Sequence, residues 1–167
     1  MNVIYVSFDT LRADHVTCYG YARDTTPTLD RLAAEGVLFE NVYPPDVPTQ
    51  PSYTALLTGR RGISTGVVSH HADEQLDDSV PVFPEVLARG GYRTAAVSTL
   101  YHMKKWFARG FDTYMNPVAG QRGLVQRVTA EQINQWAIPW LLSNRDQPFF
   151  LFVHYWDPHT VYLPPPE

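Results

Sequence analysis

Apolar positions along this chain come in two rhythms that take turns. "NVIYVSFD" is a short, nearly continuous run rich in β-branched and aromatic residues, the pattern of a buried strand, and it ends at Asp9. "TTPTLDRLAAEG" switches to helical spacing, with Thr26 as N-cap, Pro27 at the first position and Gly36 closing the helix. "VLFENVY" predicts a second strand. "VPTQPSYTALLTGRR" predicts a Pro-punctuated loop running into a helix over Pro51 to Thr58, stopped by Gly59. "VPVFPEVLARGGY" predicts a helix ending at Gly90 and Gly91, and "RTAAVST" a strand after it. "TAEQINQWAIPWLLSN" opens with a capping box, Thr129 with Gln132, and is expected to be interrupted by Pro139. "PFFLFVHYWD" predicts a final apolar strand that ends at His154 and Asp157. The polar segment "SHHADEQLDDS" reads as an exposed loop that takes in His70 and His71.

Strands alternating with helices predict an α/β fold, a mostly parallel central sheet flanked by helices on both faces. Ligands of such sheets bind beyond the carboxyl ends of the strands. Two of the predicted strands end there in Asp9 and in His154 with Asp157, residues able to ligate a metal.

Composition narrows this picture. A chain of 167 residues fits one domain, and 44% hydrophobic with 18% charged residues is globular rather than disordered. The net charge of −4, with dispersed Lys and Arg, gives no electrostatic footprint for nucleic acid. Cys18 is the one cysteine, which excludes an internal disulfide and a cysteine-rich zinc site and reads as a packed thiol. The start, "MNVIYVSFD", has no basic segment, and its apolar run is too short for a signal peptide or membrane span. The expectation is a cytoplasmic protein with no membrane partner.

The candidate chemistry begins where the second helix begins. Thr49, Ser52, Tyr53 and Thr54 crowd that junction. Hydroxyls there can cap the free N–H groups of a first turn. One of them can instead be a nucleophile placed where a helix N-terminus stabilises an anion. Asp9 has a similar pair of readings, a carboxylate at a strand tip suited to a divalent metal or a turn-forming Asp. His154 reads as a core histidine on an alternating strand.

Taken in order, "FDTLRADHVTCYGY", "TTPTLDRLAAEGVLFENVY", "TQPSYTALLTGRR", "GYRTAAV", "RGFDTY" and "PFFLFVHYWDPH" resemble the N-terminal part of the sulfatase family, in the alkaline-phosphatase superfamily. The resemblance implies that residues 1–167 form the N-terminal part of a sulfatase-like catalytic domain. It also implies a metal at the strand tips and a covalent nucleophile at a helix N-terminus. The family's nucleophile lies in a C-x-P-S-R pattern whose cysteine or serine matures to formylglycine. The matching residues here are Thr49, Gln50, Pro51, Ser52 and Tyr53. Thr49 cannot become formylglycine, and Tyr53 stands where the family has arginine. An unmodified threonine resembles the phosphodiesterase and phosphoethanolamine-transferase branches of the superfamily.

A formylglycine hydrate has a second hydroxyl that expels sulfate from the covalent adduct. A threonine adduct must be attacked from outside, which a phosphoryl group tolerates better than a sulfuryl group. The resemblance therefore implies a metal-dependent hydrolase of sulfate or phosphate esters, with phosphodiesters or phosphonate esters favoured. Thr49 would be nucleophile and metal contact, and His159 of "DPH" would meet the transferred group or leaving oxygen. Asp9, Thr49 and Asp157 form the implied metal set, for Mn, Zn, Ca or Mg. Many family members carry a second Asp where this chain has Thr10.

Arg12, Tyr53 and Lys104 are the implied substrate-binding residues. Arg12 has the alternative of a structural ion pair with Asp14 or Asp30. Lys104, with His102 and Lys105, has the alternative of a solvated loop. The implied partners are a small sulfate or phosphate ester and, for the family's downstream metal ligands, a C-terminal part or second chain. Two other functions stay open, a phosphoryl head-group transferase and a non-catalytic anion- or partner-binding module or inactive fragment.

Overall fold

The computed structural model describes residues 1–71, 73–118 and 128–159. They fall into two compact units, one of Met1–Asp9 with Pro44–Glu167 and one of Thr10–Tyr43.

The larger unit is built on a four-stranded sheet in the order β1-β4-β2-β3. Its strands are β1 (Val3–Phe8), β2 (Arg93–Val97), β3 (Thr113–Met115) and β4 (Phe149–Tyr155). All three pairings are parallel. β4 lies between β1 and β2, and its uninterrupted "FFLFVHY" follows from that place: every residue from Phe149 to His154 is buried. Successive side chains then go to opposite faces. Phe150, Phe152 and Ala96 join one core, with Tyr53, Leu57, Val82, Trp106 and Phe107. Phe149, Leu151, Val153, Ala95 and Val97 join the other, with Ile133 and Ala137.

The helices supply those partners. Helices α2 (Thr49–Thr58) and α4 (Phe83–Arg89) contribute to the first core, and α5 (Ala130–Asn144) covers the second face. The short α3 (Gly62–Thr65) follows α2. The capping box of α5 forms as the sequence predicts: Thr129 Oγ1 accepts the Gln132 N–H, and Gln132 Oε1 accepts the Thr129 N–H. Its predicted interruption does not occur. α5 runs through Pro139 unbroken, because Ile133 and Ala137 anchor the helix on the sheet. The carbonyl deprived of its helical donor belongs to Gln135, which faces solvent.

In the smaller unit α1 (Pro27–Glu35) forms with Thr26 and Gly36 at its ends. The Thr26 hydroxyl is drawn away from capping, because its Oγ1 accepts the Thr17 N–H at 3.0 Å. "VLFENVY" forms no strand. Val37, Phe39, Val42 and Tyr43 are exposed, and an apolar run with no strand to share a ladder among the described residues cannot hold an extended strand. β1 also departs from expectation. It pairs only with β4 among the described residues, so Ile4 and Val6 remain about half exposed, at 50% and 46%.

Candidate active site

The strand register creates the site. Ser7 of β1 stands opposite His154 of β4, and the Asp9 N–H donates to the Tyr155 carbonyl at 2.9 Å. Asp9 therefore sits at the carboxyl tip of β1 beside the end of β4. Its side chain is buried, with Oδ2 3.4 Å from His154 Nε2. Neither atom is in hydrogen-bond geometry with any group. On the other side of the ring, His154 Nδ1 lies 3.2 Å from the Ser98 hydroxyl just past β2.

Helix α2 brings Tyr53 to the same place. The Tyr53 hydroxyl is hydrogen-bonded to Ser7 Oγ at 2.8 Å, and its ring meets His154 edge-on at 5.2 Å between centroids. Burial pushes the Tyr53 phenol well above its ordinary range, against the pull of the Ser7 bond, and the nearby Asp9 charge adds to the rise. Tyr53 thus stays neutral and protonated in the position where the sulfatase pattern has a cation. Tyr53→Phe keeps the ring and removes one buried hydrogen bond. It should lower unfolding stability by about 1 kcal/mol in urea denaturation.

Thr49 is the first residue of α2, one turn before Tyr53 and on the same helix face. Pro48 is the N-cap and makes no side-chain capping bond, so none of the junction's hydroxyls holds the N-cap position. Thr54 Oγ1 instead accepts the Trp106 indole N–H at 3.1 Å, and Thr58 Oγ1 donates back to the Thr54 carbonyl at 2.7 Å. The helix itself is the longest on its face, and its N–H groups at Thr49 and Gln50 have no intrahelical acceptor. Gln50 is also buried, and its Oε1 has no hydrogen-bond partner.

The remaining candidates lie in different settings. His159 stacks on Trp156 at 4.4 Å, and Trp156 in turn meets His154 at 5.5 Å, so an aromatic row runs from Tyr53 to His159. Asp157 Oδ1 accepts the Ala130 N–H at 2.9 Å, which ties it to the start of α5. Lys104 is buried rather than on a solvated loop. Its Nζ donates to the carbonyls of His71 at 2.9 Å and Glu74 at 2.7 Å and stands 5.1 Å over the Trp106 ring. Lys105, His102, His70 and His71 are exposed, as a loop reading expects. Arg12 belongs to the smaller unit, where it makes a two-pronged pair with Asp14 at 2.9 and 2.6 Å. That pair and His15 hold the Asp14 carboxyl well below the usual carboxylate range.

The orphaned Asp9 Oδ2 is the right donor for a hard or borderline divalent cation. Among the described residues, no three His, Cys, Asp or Glu side chains gather into a cluster able to hold one unaided. His154 is a core histidine, as its place on the strand predicts, and the register sets it beside Asp9. The available signal was that His154 and Asp9 both close apolar runs; what the sequence lacked was the register that sets them side by side.

The tip of a parallel strand thus carries a buried carboxylate beside a buried imidazole, with Tyr53 of α2 against both Ser7 and that ring. The chain belongs to the sulfatase family, whose model matches residues 1–167. An N-acetylglucosamine-6-O-sulfatase of Bacteroides thetaiotaomicron is 28% identical over 186 residues, spanning 99% of this chain and 32% of the relative. A solved structure in complex with its substrate D-glucosamine-2-N,6-O-disulfate superposes with a TM-score of 0.82 at 24% identity, over 98% of this chain and 35% of that one. Two more distant structures share the fold. They are the phosphonate monoester hydrolase of Agrobacterium radiobacter (TM-score 0.72, 21% identity, 95% of this chain, 41% of that one) and a periplasmic domain from Escherichia coli in complex with Zn (TM-score 0.75, 20% identity, 98% and 46%). The chain spans about a third of the length of the first of these relatives.

Proposed function

We propose that this chain carries the nucleophile side of a sulfatase-family site that hydrolyses esters of sulfate or phosphate type, with Thr49 as nucleophile. The observation that supports this most is the uncapped first turn of α2, whose Thr49 shares a face with Tyr53 and, through it, with Ser7, His154 and Asp9. Thr49 Oγ gives up its proton to water and attacks the sulfur or phosphorus, and the ester oxygen leaves as an alcohol with a proton that this reading assigns to His159. Water then attacks the transferred group, its bond to Thr49 Oγ breaks, and the hydroxyl regains a proton. Developing charge on the group's outer oxygens faces the free N–H groups of the first turn of α2, and the protonated Tyr53 contributes a neutral donor nearby.

A divalent cation would be held by Asp9 with Thr49, where it supplies charge neutralisation and activation of the hydroxyl. Asp157 would join that set through Oδ2, its Oδ1 being tied to the Ala130 N–H at the start of α5. The domain assignment follows the same reading: residues 1–167 are the N-terminal part of the catalytic domain.

A single-hydroxyl nucleophile favours phosphorus over sulfur, because a threonine adduct has no second oxygen to expel the group. The chain, assayed with Mn²⁺ or Zn²⁺, is expected to turn over an aryl phosphonate monoester or phosphodiester faster than the matching aryl sulfate, by about tenfold or more. Faster turnover of the sulfate ester would overturn the phosphorus preference. Binding of both esters without turnover would replace hydrolysis with anion binding.

A further inference from the structure

We propose that His154 is a positioning residue for Asp9, held in its Nε2–H tautomer by Ser98 and aimed at the Asp9 carboxylate. The inference rests on the reading of Asp9 as a cation ligand and adds to it a residue that sets how the ligand is presented. Three side chains in line are nearly sealed from solvent, Ser98 at 0%, His154 at 1% and Asp9 at 8% exposure. In such a place each polar atom must account for its hydrogen.

Ser98 Oγ accepts the Leu100 N–H at 3.1 Å, so its own proton is available to His154 Nδ1 at 3.2 Å. The opposite assignment would put the proton on Nδ1. It would then set the Nε2 lone pair against Asp9 Oδ2 at 3.4 Å, two electron-rich atoms facing each other without water. With Ser98 donating to Nδ1, the ring hydrogen sits on Nε2, on the side of Asp9.

The imidazole is also walled in. Phe152 stacks on it at 6.2 Å, with Tyr53 and Trp156 edge-on at 5.2 and 5.5 Å. A ring so confined can aim only one way. A carboxylate oxygen has two lone pairs, so an N–H on one leaves the other and the charge available to a cation. Ligands oriented by such outer partners bind metal more tightly, typically by about 10–100-fold.

The first test needs no metal. The whole chain, labelled with ¹⁵N-histidine, is read by NMR at neutral pH. The expected result for His154 is a protonated Nε2 with an unprotonated Nδ1, and a shift of the population toward Nδ1–H in Ser98→Ala. A dominant Nδ1–H form, or a doubly protonated ring, overturns the proposal. The second test is calorimetric titration with Mn²⁺. His154→Leu, confirmed as folded by circular dichroism, should bind about 10–100-fold more weakly. His154→Gln, whose amide can still donate to Asp9, should recover most of that loss, whereas a merely space-filling role predicts no rescue. Parent-like affinity in His154→Leu overturns the positioning role. If Asp9→Ala leaves Mn²⁺ binding unchanged, the ligand reading of Asp9 fails, and the tautomer result judges the His154–Asp9 pairing by itself.

Discussion

Thr49→Ala should reduce ester turnover by roughly 10³-fold or more, about 4 kcal/mol of barrier, while leaving the protein as stable as before. The two halves of that expectation come from the same observation. Thr49 opens α2 without capping it, so the hydroxyl carries no structural bond that alanine would break. Alanine at a first helical position suits the helix at least as well, and the stability change should stay within about 0.5 kcal/mol. Thr49→Ser, which keeps the hydroxyl but loses the methyl that limits its rotation, should retain activity within about 10–100-fold of the parent. Steady-state kinetics on a phosphonate monoester, paired with thermal unfolding of each variant, reads both halves. Turnover in Thr49→Ala above a tenth of the parent value would remove Thr49 as the nucleophile. A matched fall in unfolding temperature would return it to a structural role.

Much of the larger unit could be read from the chain because its strongest patterns agree with the place each element occupies. β4 is apolar throughout since it has a strand on either side and a core above and below, and a continuous run is the pattern such burial leaves. The α5 capping box and the Thr26–Gly36 bounds of α1 were equally legible, being local chemistry. Expectations failed where a local rule met a tertiary fact. Pro139 argues for a break, yet α5 is fixed to the sheet on either side of the ring's removed donor. Residues 37–43 have the apolar and aromatic composition of a strand and no partner strand among the described residues. β1 has a buried strand's composition and, among the described residues, one paired edge.

The site divides the same way. Asp9, Thr49 and Tyr53 could be singled out from motif and position. The grouping of Asp9 and Tyr53 with His154 and Ser98 depends on parallel register, Ser7 opposite His154 and Val97 opposite Val153, which no single strand encodes. Lys104 shows the converse. A lysine in a polar stretch reads as solvated, but two carbonyls and an indole face give its charge a buried setting.

The largest stability effect should come from Gly110→Ala, a loss of about 3–4 kcal/mol. Gly110 turns the chain between the 3₁₀ segment Lys105–Ala108 and β3 with φ +77°, a left-handed conformation that side chains resist. A Cβ there would also collide with the Glu85 backbone nitrogen and stand 2.7 Å from Pro84 C, at the start of α4. The close approach cannot relax easily, because both sides of the turn are tied. Thr94 Oγ1 donates to the Gly110 carbonyl at 2.8 Å and accepts the Asp112 N–H at 3.0 Å. Arg109, one residue earlier, grips the Glu85 carboxylate at 3.0 Å and the Asp78 and Val80 carbonyls. "RGFDTY" thus reads as a clasp that joins α4, β2 and β3: Arg for Glu85, Gly for the contact, Asp for the Thr94 N–H. Gly66→Ala is the matched control. Gly66 has a similar φ of +76° but nothing within 4 Å of a built Cβ, so its loss should be the conformational part alone, about 1 kcal/mol. Urea midpoints of the two variants measured side by side isolate the clash as their difference. Equal midpoints would mean that α4 and the turn can part at no cost, and the clasp would then hold nothing together.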